Sequence, residues 1–208
     1  MKPNVDLTKL IQLGLTFSDA NGNLPTCGTG KHCVWQFNFK EFDPNYDVHH
    51  EHSIKLLSES GIDFKKNKEK GVSARDFGEL LMSSGVVLNG EVHWVTFHGG
   101  YDIGYLLKLL TGMNLPRNKE GFFGLVRVFF PNLYDIKHMI RFTNGLYGSL
   151  KRVAEQLRIE RIGPAHQAGS DSLVTCRVFM KMKACVLGDR KTEKLVGELF
   201  WLGAVDGR

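Results

Sequence analysis

The stretch His93-Trp94-Val95-Thr96-Phe97-His98-Gly99-Gly100-Tyr101-Asp102-Ile103-Gly104-Tyr105-Leu106-Leu107 decides the fold. It opens rich in β-branched and aromatic residues, breaks at two glycines, and continues with apolar residues at helical spacing. This predicts a strand that runs into a helix, with Asp102 at the junction. Open α/β sheets hold their ligands outside such strand ends, so Asp102 is a candidate site residue as well as a candidate helix cap. A second junction, His166-Gln167-Ala168-Gly169-Ser170-Asp171, leads into the amphipathic run Ser172 to Lys183. It puts an imidazole and a carboxylate at another helix start.

On the N-terminal side, Lys9 to Phe17 reads as a strand mostly buried on both faces, and Asp19-Ala20-Asn21-Gly22 supplies turn chemistry. Val34 to Phe39 alternates with period two, so the two segments predict a hairpin with a long connection. Cys27 and Cys33 lie in that loop at poor zinc spacing. His50 to Ser60 reads as a helix ending at Gly61, and Ser73-Ala74-Arg75-Asp76 as a capping box before Phe77, Leu80 and Leu81. His49, His50 and His52 do not share a helix face and read as a solvated helix entrance. Lys65 to Lys70 reads as a solvated basic loop. Beyond the central stretch, Phe122 to Phe130 reads as a buried helix stopped by Pro131. Leu133 to Ile140 alternates like a strand and carries a third carboxylate, Asp135, while Leu150, Val153, Ala154 and Leu157 mark another amphipathic helix. Strands and helices in this order predict an α/β fold, a mixed sheet with helices on its faces.

At 208 residues the chain fits one domain with a sizeable core, over 1–208. A formal charge of +5 favours an anionic partner such as nucleic acid without specifying one. The four cysteines lack CxxC spacing and scaffold density, which points to free thiols and a cytoplasmic or nuclear location. No apolar run approaches membrane-spanning length, so no membrane partner is expected.

Magnesium and manganese prefer oxygen ligands, and two such ions about 4 Å apart clamp the attacking and leaving oxygens of a phosphodiester. Asp102 and Asp171 are candidate ligands for such ions, and His166 a candidate acceptor for the proton of an attacking water. The structural alternative makes His166-Gln167 a packed turn and Asp171 the cap of the last long helix. From the residues alone both readings stand.

Several blocks resemble one family. They are Asn4-Val5-Asp6-Leu7 with Ile11 to Phe17, Trp35-Gln36-Phe37-Asn38-Phe39, Glu79 to Val87, Phe97-His98-Gly99-Gly100-Tyr101-Asp102, and Glu155-Gln156-Leu157 through Arg161-Ile162-Gly163-Pro164 to His166-Gln167-Ala168-Gly169-Ser170-Asp171-Ser172-Leu173. Together they are similar to the carbon-catabolite-repressor-associated factor one family of poly(A) deadenylase catalytic subunits, over nearly the whole chain. The resemblance implies a ribonuclease-H-like fold and 3′-to-5′ shortening of poly(A) RNA with Mg2+ or Mn2+. It also implies assembly with the scaffold subunit and second nuclease of the deadenylase complex. It matches Asp102 and Asp171 to the third and fourth acidic residues of a four-carboxylate set, and His166 to the accompanying histidine. The first two belong to an Asp-x-Glu motif on the first, central strand, and the 208 residues contain no Asp-x-Glu. The expectation is therefore a sheet without the strand between the Leu10 to Phe17 and Val92 to Phe97 segments, and at best a very weak nuclease. The alternative is a non-catalytic module that binds the complex.

Overall fold

Residues 1–203 are described by the computed structural model. The order is α1 (Lys2–Leu7), β1 (Gln12–Leu15), β2 (Trp35–Asn38), α2 (Glu51–Glu59), α3 (Phe64–Lys70), α4 (Ala74–Ser83), β3 (His93–Thr96), α5 (Gly100–Thr111), α6 (Lys119–Phe129), β4 (Asn132–Asp135), α7 (Ile136–Met139), α8 (Leu150–Gln156), α9 (Ala168–Met182) and α10 (Asp189–Glu193). Residues 204–208 of the expected domain lie outside the described residues. Among those described, no helix is long and apolar enough to cross a membrane.

β1 and β2 form the expected antiparallel hairpin, with Gln12 opposite Asn38 and Leu15 opposite Trp35. β3 runs parallel to β4, with His93 opposite Asn132 and Thr96 opposite Asp135. The two pairs are separate two-stranded sheets rather than one sheet. Side-chain alternation nevertheless turns one face of each pair toward a shared core. Leu13, Leu15, Phe37, Trp94 and Leu133 face a core built with Phe77, Ile103, Leu107, Phe123 and Val126. Val95, Phe97 and Tyr134 face a second core built with Ile136, Met139, Val153, Val174 and Val178. α9 packs against both β1 and β3. α9 thus bridges the two pairs.

Four expectations are corrected. Lys65 to Lys70 is not a loop but belongs to α3, because Asp63 caps it by accepting from the Lys66 amide at 2.9 Å and Phe64 packs on Phe42 with ring centroids 5.5 Å apart. The strand over Leu133 to Ile140 ends at Asp135, whose side chain accepts from the Lys137 amide at 2.9 Å and so starts α7. The long final helix starts at Ala168 with Gln167 as its N-cap, so Asp171 sits inside its first turn instead of capping it. The strand over Lys9 to Phe17 is confined to Gln12–Leu15, and its residues are half-buried.

Candidate functional site

Asp102 owes its position to the turn Phe97-His98-Gly99 between β3 and α5. His98 adopts φ 62°, and a Cβ on Gly99 would lie 2.2 Å from the Thr96 hydroxyl oxygen, so only glycine fits there. Asp135, 0% exposed, holds this turn in place. Its Oδ1 accepts from the amides of His98 at 2.7 Å and Lys137 at 2.9 Å, while Oδ2 accepts from those of Gly99 at 3.2 Å and Phe200 at 3.0 Å. One carboxylate therefore ties together the end of β3, the heads of α5 and α7, and a turn some 65 residues further on. That turn is closed by reciprocal amide-to-carbonyl bonds between Leu199 and Gly203. The Phe200 ring meets the His98 ring edge-on at 5.1 Å.

Asp102 lies in the first turn of α5, not at its cap, which is Gly99. Its surface reaches solvent, yet dense protein surrounds it on the remaining sides. This crowding pushes its carboxyl above the ordinary range, and the charge of Asp135 adds to it, against opposing contributions from its own backbone amide and, less, from His98. The carboxylate that bears on Asp102 is thus Asp135.

Asp171 and His166 are positioned by the docking of α9 on the β1–β2 hairpin. The first two free amides of α9 are satisfied by glutamines of the strands: Ala168 donates to Gln12 Oε1 at 2.7 Å and Gly169 to Gln36 Oε1 at 2.9 Å. Both glutamines return a bond to Gln167 Oε1, at 3.1 and 2.9 Å. Gly14 makes the approach possible, since a Cβ there would sit 1.9 Å from the Ala168 carbonyl oxygen. Asp171 Oδ1 is held by the Arg161 guanidinium at 2.5 Å, which also donates to the Ser170 hydroxyl at 3.0 Å. His166 is exposed, just ahead of α9, at φ 63°.

Among the described residues, no group of three or more His, Cys, Asp or Glu converges to hold a metal ion. The available oxygens also suit a cation poorly. Asp102 and Asp171 are the two matched carboxylates, and one oxygen of Asp171 is committed to Arg161. Hard divalent ions need charged oxygens at defined positions, so this donor set falls short of a two-ion site. Three features here were not identified from sequence: the gathering role of Asp135, the Arg161–Asp171 pair, and the turn around Phe200. The sequence marks Asp135 only as a carboxylate near a strand.

No protein-family model matches the chain. The chain is 58% identical over 207 residues to the probable CCR4-associated factor 1 homolog 10 of Arabidopsis thaliana, covering all of itself and 74% of that relative. It is 43% identical to the poly(A) ribonuclease pop2 of Schizosaccharomyces pombe, over 98% of this chain and 59% of that protein. The structure of S. pombe Pop2p in its Mg2+- and Mn2+-bound form matches with a TM-score of 0.87 at 42% identity, over 96% of this chain and 77% of that one. Yeast CAF1, in its co-crystal with the NOT1 MIF4G domain, matches with a TM-score of 0.76 at 35% identity, over 88% and 69% of the two chains.

Proposed function

The chain belongs to the CCR4-associated factor 1 (Pop2) family of poly(A) ribonucleases, and we propose that it acts as a module of the deadenylase complex that engages single-stranded poly(A) RNA but hydrolyses it weakly at most. The observation that carries this reading is the donor set: Asp171 is paired with Arg161, and the 208 residues hold no Asp-x-Glu to join Asp102. In family terms Asp102 and Asp171 are the carboxylates for Mg2+ or Mn2+, and His166 is the imidazole that takes the proton of the attacking water. Two carboxylates, one of them paired with Arg161, do not meet the charge that a pair of hard cations needs, so no hydrolytic step is assigned to them.

RNA engagement is supported by the family and by the formal charge of +5, which attracts a phosphate backbone. Recognition of a single strand rests on stacking, 2′-hydroxyls and backbone contacts, because exonucleolytic trimming leaves no duplex to read. The partners are the complex scaffold, as for the yeast CAF1 crystallised with the NOT1 MIF4G domain, and the second nuclease, in cytoplasm and nucleus. Residues 1–208 act as one domain.

The test is to incubate the purified chain and its Asp102→Ala variant with an adenosine-tailed RNA and Mg2+ or Mn2+, and to measure binding of the same RNA and of the scaffold domain in parallel. Binding with little or no shortening is the expected result. Robust shortening by the parent that Asp102→Ala abolishes would overturn the weak-activity reading and leave an ordinary deadenylase.

A further inference from the structure

Trp201 holds a conformation that bulky residues avoid. Its φ is 72°, in the left-handed region where a Cβ crowds the backbone, and its side chain is 63% exposed. Such strain persists only where the surroundings over-determine it, and it gathers at functional sites. The surroundings here do over-determine it. Leu199 is fully buried, Leu202 packs against the first core, and the Phe200 amide is fixed at 3.0 Å on Asp135 Oδ2. Three of the four residues from Leu199 to Leu202 are thus anchored, and the fourth, the indole, is left in solvent.

The placement is not arbitrary with respect to the site. The Asp135 oxygen that fixes Phe200 also fixes Gly99 at the head of α5, the helix whose first turn carries Asp102. Leu202 approaches the same helix, with its Cδ1 3.0 Å from where a Gly100 Cβ would be. Around this edge lie the exposed His98, Tyr101 at 39% exposure, and Lys119, whose Nζ is 3.2 Å from where a Gly203 Cβ would be. Flat aromatics beside a lysine match the pattern of single-stranded nucleic-acid binding, in which bases stack while phosphates meet positive charge.

We propose that Trp201 is a base-stacking residue whose indole receives an adenine of single-stranded RNA, with the adjoining phosphate directed toward Lys119. The inference rests on the RNA reading above and adds a residue to it. Removing an aromatic platform of this kind weakens binding by roughly fivefold to a hundredfold per base. At Trp201 the same removal also relieves the backbone, so glycine separates the two effects: affinity falls while thermal stability holds or rises.

The experiment compares the parent chain, Trp201→Gly, Trp201→Phe and Lys119→Ala. A short fluorescein-labelled oligoadenylate and an abasic oligomer of equal length are titrated by fluorescence anisotropy, and each protein's melting is recorded. Trp201→Gly is expected to melt no lower than the parent and to bind oligoadenylate at least about fivefold more weakly, with much of the affinity restored in Trp201→Phe. The abasic oligomer should bind the parent and Trp201→Gly alike, whereas Lys119→Ala should weaken both oligomers. Equal oligoadenylate binding by the parent and Trp201→Gly overturns the stacking role and leaves the RNA reading intact. A loss by Trp201→Gly that extends equally to the abasic oligomer also overturns it, as a fold or charge defect. A parent that does not bind oligoadenylate at all overturns the RNA reading and this inference together.

Discussion

Replacing Asp135 by Asn keeps the shape of the side chain and removes one acceptor. The carboxylate takes four backbone amides, two on each oxygen, and an amide nitrogen cannot accept from any of them. The new nitrogen should take the Oδ2 position, because the bonds there, 3.2 Å to Gly99 and 3.0 Å to Phe200, are longer than the 2.7 and 2.9 Å bonds on Oδ1. Two N–H groups, one buried and one half-buried, would then face a donor. Hydrogen bonds to a charged group are worth about 1.5–3 kcal/mol each, so Asp135→Asn should lose about 3–6 kcal/mol. That is a large share of the roughly 5–15 kcal/mol of a typical domain. Urea unfolding by linear extrapolation measures it, and amide exchange should accelerate first at Gly99 and Phe200. A loss under about 1 kcal/mol, the scale of an ordinary surface change, would refute the gathering role assigned to this carboxylate.

Two further outcomes follow from the same contacts. Gly14→Ala places a Cβ 1.9 Å from the Ala168 carbonyl, so α9 must lift off β1, and the cost should reach the upper end of overpacking, roughly 3 kcal/mol in chemical unfolding; an unchanged midpoint would mean that the helix start is free to move. Asp102, raised above its ordinary 3.8 chiefly by burial, keeps its proton longer in the folded than in the unfolded chain, so its contribution is full below 3.8 and is lost as pH rises through the raised value. Asp102→Asn should therefore melt higher than the parent at neutral pH, with the difference closing as the pH is lowered, and a gap that widens in acid would contradict the assignment.

The strand-to-helix junction at Asp102 was legible because the hydrophobic period changes within one stretch, from that of a pleat to that of a helix turn. The hairpin was legible from its period-two alternation, α4 from its capping box, α6 from the apolar run that Pro131 stops, and α8 from apolar residues at helical spacing. What stayed hidden depends on partners far away in sequence. Asp135 finds its amides 36, 37 and 65 residues away, and no local pattern carries that information. Asp171 looks like a cap because nothing near it reveals that Gln12 and Gln36 do the capping from the β1–β2 hairpin. α3 was missed because its lysines outweighed the one local signal, the Asp63 cap. The strand over Leu133 to Ile140 was overextended because a short helix beginning at a capping Asp leaves the alternating pattern undisturbed. Trp201 was invisible as a site residue, since a positive φ is a property of the closed turn and not of the residue type.

The Asp135 clasp also sets a schedule for biosynthesis. Its fourth donor, the Phe200 amide, is 65 residues downstream and reaches the ribosome exit roughly 3 to 13 s later at ordinary elongation rates. Until then the carboxylate has no complete set of amides, and the turn at the head of α5 is held only from one side. The hairpin, α4 and much of the first core can settle while the chain is being made, but the edge around Asp102 closes only as the last helices emerge. A nascent chain stalled before Phe200 would carry the edge around Asp102 open, and would be the form that a chaperone or a protease meets first.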